Sequence, residues 1–366
     1  MRRPKSIFKL FAFAVIFADV AVQRNFNFDE SLLRTNYDYD GKNGNPEASL
    51  EGTPSQQLKI ALLMSFPNSG TSYTLQVTSR NTGTIFGSNY CHELTNPGGQ
   101  VGIFDGFAPT PVTNGGQVSK YRWPTKYILT KTHCGGFCQS RTLCGPDQYL
   151  ISNEQFQHDC LRACSRHKNS SSFVNNRKKN KSYSHKMVGK AVHLFRDPFD
   201  NIVSRFHHLM KKYRKTMTSE EFKNFNRKFN DTPSGFQAYC QDWDSLYGSE
   251  EELMIYGPLR SDIIHDVPCH AEFFLYTNWH NNAFKAIASW GVPSHILRYE
   301  DYHTDFNGTM GRMMGELEQE QVAHVFGYRN RDYSNYFSNE QRDAVQRFIK
   351  RFASHDTLNE LRYYGV

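Results

Sequence analysis

Short apolar runs alternate along this chain with longer stretches of mixed polarity. "LKIALLM" (58–64), "KYILTKTH" (126–133), "KAVHLF" (190–195) and "SHILRYE" (294–300) have strand length. The first carries no polar alternation in its apolar part, as expected of a strand buried on both faces. Helical patterns fill the gaps: "SYTLQVTSR" after the first run, "RDPFDNIVSRFHHLMKKYRK" entering a helix near Pro198, and spans 233–243, 270–290, 339–352 and 356–363. Strands alternating with helices predict an α/β fold, a central parallel sheet flanked by helices. There are no internal repeats and no heptads.

Other stretches lack such a pattern. Residues 95–119 are rich in Gly, Pro and Thr and read as loop; 24–57 are polar and turn-rich and read as a stem or linker. The segment 134–186 is basic and cysteine-rich and reads as an insertion or lid. At the start, "MRRPKSIFKLFAFAVIFADVAVQR" places basic residues before an uncharged run, Leu10 to Ala18. That is the pattern of a secretory signal peptide or a short signal anchor over 1–23, and it falls short of the ~20 residues of an ordinary spanning helix. The expected organisation is therefore 1–23 signal or anchor, 24–57 stem, and 58–366 a single domain carrying the insertion.

Composition narrows the function classes. Charged residues make up 22% and aromatics 14% of the 366 residues, values that suit a globular chain rather than a disordered one. The net charge of +7 favours acidic partners: nucleotides, polyanionic glycans or anionic headgroups. Much of the excess lies within 166–186, where a solvated basic loop accounts for it equally well. Of eight cysteines, Cys134, Cys138, Cys144, Cys160 and Cys164 cluster, and Cys91, Cys240 and Cys269 stand apart. Their spacing lacks the C-x2-C pairs of structural zinc sites, so disulfides are expected and no metal. With sequons at Asn169, Asn180, Asn230 and Asn307, these features predict a disulfide-bonded glycoprotein of the secretory pathway.

Ligands of an open parallel sheet gather beyond the carboxyl ends of its strands. The loop after the first run, "FPNSGTSY" (66–73), offers backbone N–H groups and a helix start to an anion of phosphate type. It lacks the lysine of G-x-x-x-x-G-K-[ST], and no magnesium-binding Asp is evident near the strands, which disfavours an ATP-dependent kinase. The loop "TKTHC" (130–134) brings Lys131 and His133 to a second strand end. "AVHLFRDPFDNIVSRFHH" brings Arg196 and Ser204 to a third.

These three segments, in this order, resemble the motifs of sulfotransferases that use 3′-phosphoadenosine 5′-phosphosulfate (PAPS). "FPNSGTSY" is similar to the family's 5′-phosphosulfate loop Y-P-K-S-G-T-T-W, "KTH" to its Lys-Thr-His segment, and the Arg196–Ser204 pair to its 3′-phosphate motif. The resemblance implies a P-loop-type sulfotransferase fold like that of the membrane-associated, Golgi-type members, placing the protein in the Golgi lumen or membrane. It further implies His133 as catalytic base and Lys131 as a cation on the transferring group. Asn68, Ser69, Gly70, Thr71 and Ser72 would hold the 5′ end of the nucleotide, Tyr73, where the family often has Trp, would stack on adenine or equally belong to the core, and Arg196 and Ser204 would hold the 3′-phosphate. PAPS would be the donor and 3′-phosphoadenosine 5′-phosphate (PAP) the product, with no metal. The acceptor would be a hydroxyl or amine, on a glycan (an acidic one among the candidates) or another secretory-pathway substrate; no nucleic acid is expected.

Asn68 departs from the family, which often has a lysine there. Lys131 is the expected replacement for that charge. Without it, the chain would be a catalytically weakened nucleotide- or glycan-binding protein on the same fold. "HILRYEDY" (295–302) resembles the family's R-Y-E-D strand end, with Asp301 expected as a helix N-cap. Arg329 and Arg331 are late candidates for the 3′-phosphate.

Overall fold

The computed structural model describes residues 58–90, 100–103, 113–114, 117–118, 121–136, 151–165, 179–245, 249–328 and 331–366. The expected signal or anchor (1–23) and the stem (24–57) lie outside the described residues, as do Cys91, Cys138, Cys144, Asn169 and Arg329. No described helix is long and apolar enough to cross a membrane.

The first half of the domain runs β1 (Lys59–Ser65), α1 (Thr71–Thr82), β2 (Phe86–Ser88), β3 (Gln100–Gly102), β4 (Thr113–Asn114), β5 (Gln117–Val118) and β6 (Tyr127–Thr132). Next come α2 (Asn153–Cys160), β7 (Arg162–Ser165), β8 (Lys179–Ser182) and β9 (Val188–Phe195). The remainder is mostly helical: α3 (Pro198–Thr216), α4 (Ser219–Lys228), α5 (Pro233–Asp244), α6 (Ser249–Tyr256), α7 (Arg260–Ile264) and α8 (His270–Trp290). It closes with β10 (Ser294–Arg298), α9 (Asp301–Thr304), α10 (Phe306–Leu317), α11 (Asn339–Phe352) and α12 (His355–Leu361).

Six strands pair in parallel in the order β10-β9-β1-β6-β2-β3. The fold is thus the α/β arrangement read from the sequence. β1 sits centrally, between β9 and β6, and Ile60 through Met64 are wholly shielded from solvent. A parallel strand covered by helices above and below has no wet face, which is why its sequence shows no alternation. On one face Ala61, Leu63, Leu129, Val192, Leu194 and Leu297 pack with Leu75 of α1 and Met310, Met313 and Leu317 of α10. On the other face the rings of His193 and Phe195 lie against His280 and Phe284 of α8.

Helix starts follow local chemistry. Asp197 caps α3, its carboxylate accepting the N–H groups of Phe199 (2.8 Å) and Asp200 (3.2 Å), and Pro198 fills the first turn where no N–H is needed. Reciprocal capping boxes start α4 (Thr218 with Glu221) and α11 (Ser338 with Gln341). Several elements go beyond the sequence reading. Residues 95–119 include the edge strand β3 and the hairpin β4–β5, and the insertion contains α2 and the antiparallel hairpin β7–β8. The region 244–268 contains α6 and α7. Two disulfides lie among the described residues: Cys134–Cys160 ties the end of β6 to α2, and Cys240–Cys269 ties α5 to the start of α8. Such bonds suit an oxidising compartment.

Candidate functional site

Because β10, β9, β1 and β6 are consecutive in a parallel sheet, the loops leaving their carboxyl ends share one edge. The loop from β1 turns sharply. Asn68 (φ 68°) and Gly70 (φ 95°) both occupy the left-handed region, which Asn tolerates and Gly adopts without cost. Gly70 is needed for a second reason. The ring of Tyr299, at the end of β10, lies so close that a β-carbon at position 70 would sit 2.1 Å from its Cδ2. Gly70 also occupies the N-cap position of α1 with no side-chain cap. The first-turn N–H groups of a helix have no intrahelical acceptor, so this turn presents donors to an anion.

Asn68 ties the loops together. Its side-chain amide donates to the carbonyl of Ser204 (3.3 Å), and its own carbonyl accepts from Nη1 of Arg196 (2.8 Å). The glycine turn, Arg196 and the first turns of α3 are thereby joined at one residue. Asn201 reinforces the junction by donating to Pro67 O (3.1 Å) and Ser69 Oγ (3.0 Å). The Arg196 guanidinium stands over the Tyr299 ring (4.9 Å) and near that of Tyr333 (6.0 Å). Its Nε is buried and without a hydrogen-bond partner among the described residues. Arg196 makes no ion pair with Asp197 or Asp200 within 4 Å among the described residues, and Asp197 caps α3. Burial, with Asp197 beside it, pushes the Asp200 carboxyl up to about 7 despite the pull of Arg196. Asp197 and Glu300 are likewise raised, mainly by burial.

Lys131 and His133 enter from β6. Lys131 is buried along its length and shares the α1 side of the strand with Tyr127 and Leu129; its Nζ reaches the Ser72 hydroxyl at 3.5 Å in the first turn of α1. The ammonium therefore sits at the mouth of the same turn. His133 is almost fully buried and held on several sides. Its Nδ1 lies 2.8 Å from the carbonyl of Ser65, its backbone N–H donates to Tyr90 OH (2.7 Å), and its carbonyl accepts from Trp279 Nε1 (2.8 Å). A carbonyl only accepts, so Nδ1 donates a proton to it. Ser65 Oγ, 3.2 Å from His133 Nδ1 and 2.6 Å from Thr71 Oγ1, links this imidazole back to the turn.

The structure thus brings Asn68, Ser69, Gly70, Thr71, Ser72, Lys131, His133, Arg196 and Ser204 to one edge of the sheet. Tyr73 points elsewhere, making edge-on contacts with Tyr299, Tyr302 and Tyr328 at the margin of the core. Asp301 is not a cap: it is the first residue of α9, and its carboxylate accepts from Tyr363 OH at 3.0 Å. His207 bonds Asp231 (2.6 Å) and Tyr336 (3.1 Å), while Arg331 is exposed. Sequence reasoning missed Tyr299, although it stands inside the quoted R-Y-E-D segment. It also missed Tyr90 and Trp279, which act through contacts between distant segments and leave no local signal.

No protein-family model matches the chain. Among curated proteins it is similar to a "Flavonol sulfotransferase-like" protein of Flaveria bidentis, with 26% identity over 173 residues, 44% of this chain and 53% of that protein. The similar region therefore spans about half the length of that relative. It supports a relation to sulfotransferases in general.

Proposed function

We propose that this protein is a sulfotransferase that moves a sulfuryl group from PAPS to a hydroxyl or amine acceptor. One observation carries the reading: Asn68 bonds both Arg196 and Ser204, and Lys131 and His133 reach the same turn from the neighbouring strand. The pocket suits a nucleotide with phosphates on both sides of its ribose. An uncapped helix start and the Ser/Thr-rich turn face one end, and the unpartnered Nε of half-buried Arg196 awaits an acceptor at the other.

In this reading His133 Nε2 takes the proton of the acceptor as its oxygen or nitrogen bonds to sulfur. The sulfur–oxygen bond to the 5′-phosphate breaks, and its electron pair stays on that phosphate. Lys131 and the donors of the turn stabilise the negative charge that collects there. Asn68 takes no direct part. Its amide is committed to Ser204, which leaves Lys131 as the cation in place of the family's loop lysine. The Golgi lumen, an acceptor of glycan type and N-glycosylation complete the proposal, resting on the two disulfides and the sequence motifs.

Transfer of radiolabelled sulfate from PAPS to a panel of hydroxyl acceptors tests the activity. Labelled product with the native chain and none with His133→Ala is the expected result. Absence of product across the panel, from a protein whose melting temperature rises with PAP, would instead leave a binding protein.

A further inference from the structure

The chain reverses direction immediately after His133. The N–H of Gly136 donates to the carbonyl of His133 (2.8 Å), and the two residues between them both have positive φ, Cys134 at 47° and Gly135 at 79°. Two left-handed residues closed by one such bond are the signature of a type I′ turn, with His133 at its first corner. Gly135 suits its position twice over. It takes the left-handed conformation without cost, and a β-carbon there would lie 2.8 Å from the Asp159 carboxylate of α2. Cys134 does not suit its position. Type I′ turns favour Asn, Asp or Gly as the second residue, and other side chains work against a left-handed backbone.

What holds Cys134 there is α2. The Cys134–Cys160 bond fastens it to the last residue of that helix. Cys160 is itself fixed, its carbonyl accepting from Asn89 Nδ2 (2.8 Å). The helix is seated on α8 through Phe156 against Trp279 and through Trp290 Nε1 bonded to Gln157 (3.1 Å). Gly136 closes the turn against Pro67 and Trp279, where a β-carbon would come within 2.9 Å and 3.1 Å of them. Resting on the sulfotransferase reading, we propose that Cys134 and Cys160 are positioning residues for the base. Their bond holds a disfavoured turn, and the turn sets the direction in which the His133 ring leaves the chain. With the turn set, Nδ1 reaches the Ser65 carbonyl (2.8 Å). Without the bond, residue 134 no longer favours this backbone and the imidazole loses its fixed direction. A misplacement of about 1 Å is enough to slow a reaction about a hundredfold.

Two pairs of substitutions separate the turn from the cross-link. Cys134→Ala/Cys160→Ala removes the bond and leaves a residue that resists positive φ, whereas Cys134→Gly/Cys160→Ala removes the same bond and leaves one that accepts it. Both should melt below the native chain, because both lack the cross-link. In sulfate transfer from PAPS, the alanine pair should lose at least about tenfold in kcat and the glycine pair should stay within about threefold of native, with KM for PAPS unchanged in both. Gly135→Ala, which keeps both cysteines, should slow kcat as the alanine pair does. The Nδ1–H proton resonance of His133, identified by its absence from His133→Gln, reads the turn without any turnover. It should be native-like in the glycine pair and shifted or lost in the alanine pair and in Gly135→Ala. Native kcat in the alanine pair or in Gly135→Ala, equal loss in the two cysteine pairs, or a resonance unmoved throughout would overturn the proposal. A native chain that transfers no sulfate and whose melting temperature ignores PAP, while the resonance follows the expected order, would strike the sulfotransferase reading and leave the turn as the hold on His133.

Discussion

Asn68 occupies a left-handed turn position and spends both its amide and its carbonyl holding Ser204 and Arg196 in place. What it does not supply is charge, and Lys131, whose Nζ already reaches Ser72, is the cation at this turn in the proposed mechanism. Lys131→Met should lower kcat at least about a hundredfold while PAP binds nearly as before, because the interaction grows mainly as the leaving phosphate gains charge. Steady-state transfer rates with calorimetric PAP affinities check this, and near-native turnover would remove Lys131 from the mechanism. Asp200 makes a second residue-level prediction. Its carboxyl, raised to about 7 chiefly by burial, lies close enough to Arg196 to feel its charge. A phosphate arriving at Arg196 favours the protonated acid, so binding takes up a proton. PAP affinity should fall as pH rises through 7. Calorimetry from pH 6 to 8 on the native chain and Asp200→Asn should show the native slope to be the steeper one, the difference isolating Asp200 from the nucleotide's own titration.

At the scale of elements, what was legible depended on whether a segment carries its own pattern. β1, β6, β9 and β10 announce themselves as apolar runs, and α8 and α11 match the sequence reading at both ends, 270–290 and 339–352. β2 and β3 have three residues each, too few for any periodicity, and exist because parallel neighbours pair with them. α6 mixes Leu253 and Met254, both exposed, with buried Glu252, so its polarity contradicts its packing and hides it. The site divides in the same way. The turn, the Lys-Thr-His segment and Arg196–Ser204 are contiguous motifs, whereas the Tyr299 ring over Gly70 and the Trp279 bond to His133 depend on the fold. The Cys240–Cys269 bond shows how elements are fixed. It closes a separation of 29 residues and anchors α8, which supplies Trp279 and Tyr276 to the site. Replacing both cysteines by serine should cost about 3 kcal/mol in a denaturant titration. A loss near zero would show that α5 and α8 are held by packing alone.

For the molecule as a whole, buried titrating groups shape stability. His270, at the start of α8, lies between Asp244 (3.1 Å) and Glu252 (2.6 Å), and Arg260 reaches the other oxygen of Glu252 (2.7 Å). Burial works against the charged ring, but its hydrogen bonds to the two carboxylates and their charges outweigh it and raise the ring to about 9. The folded chain therefore holds a proton that the unfolded chain releases near 6.5. The stabilisation is complete below that value and is lost as pH rises through about 9. The melting-temperature gap between the native chain and His270→Gln should be widest near pH 6 and shrink steadily toward pH 9.5; a gap independent of pH would show the ring to be neutral. His193 and His280, bonded at 2.8 Å in the core, behave oppositely. Burial lowers both, His193 to about 3, so they withdraw stability as pH falls below 6.5.

The central claim is that one edge of the sheet grips an adenosine phosphorylated at both its 3′ and 5′ positions. Isothermal titration of the full chain with PAP, 5′-AMP and magnesium–ATP addresses it without reference to any acceptor. PAP should bind at least about a hundredfold more tightly than 5′-AMP, as befits charge-assisted bonds to one added phosphate, and Arg196→Ala should erase that difference. Equal affinity for PAP and 5′-AMP, or a preference for magnesium–ATP, would contradict the account.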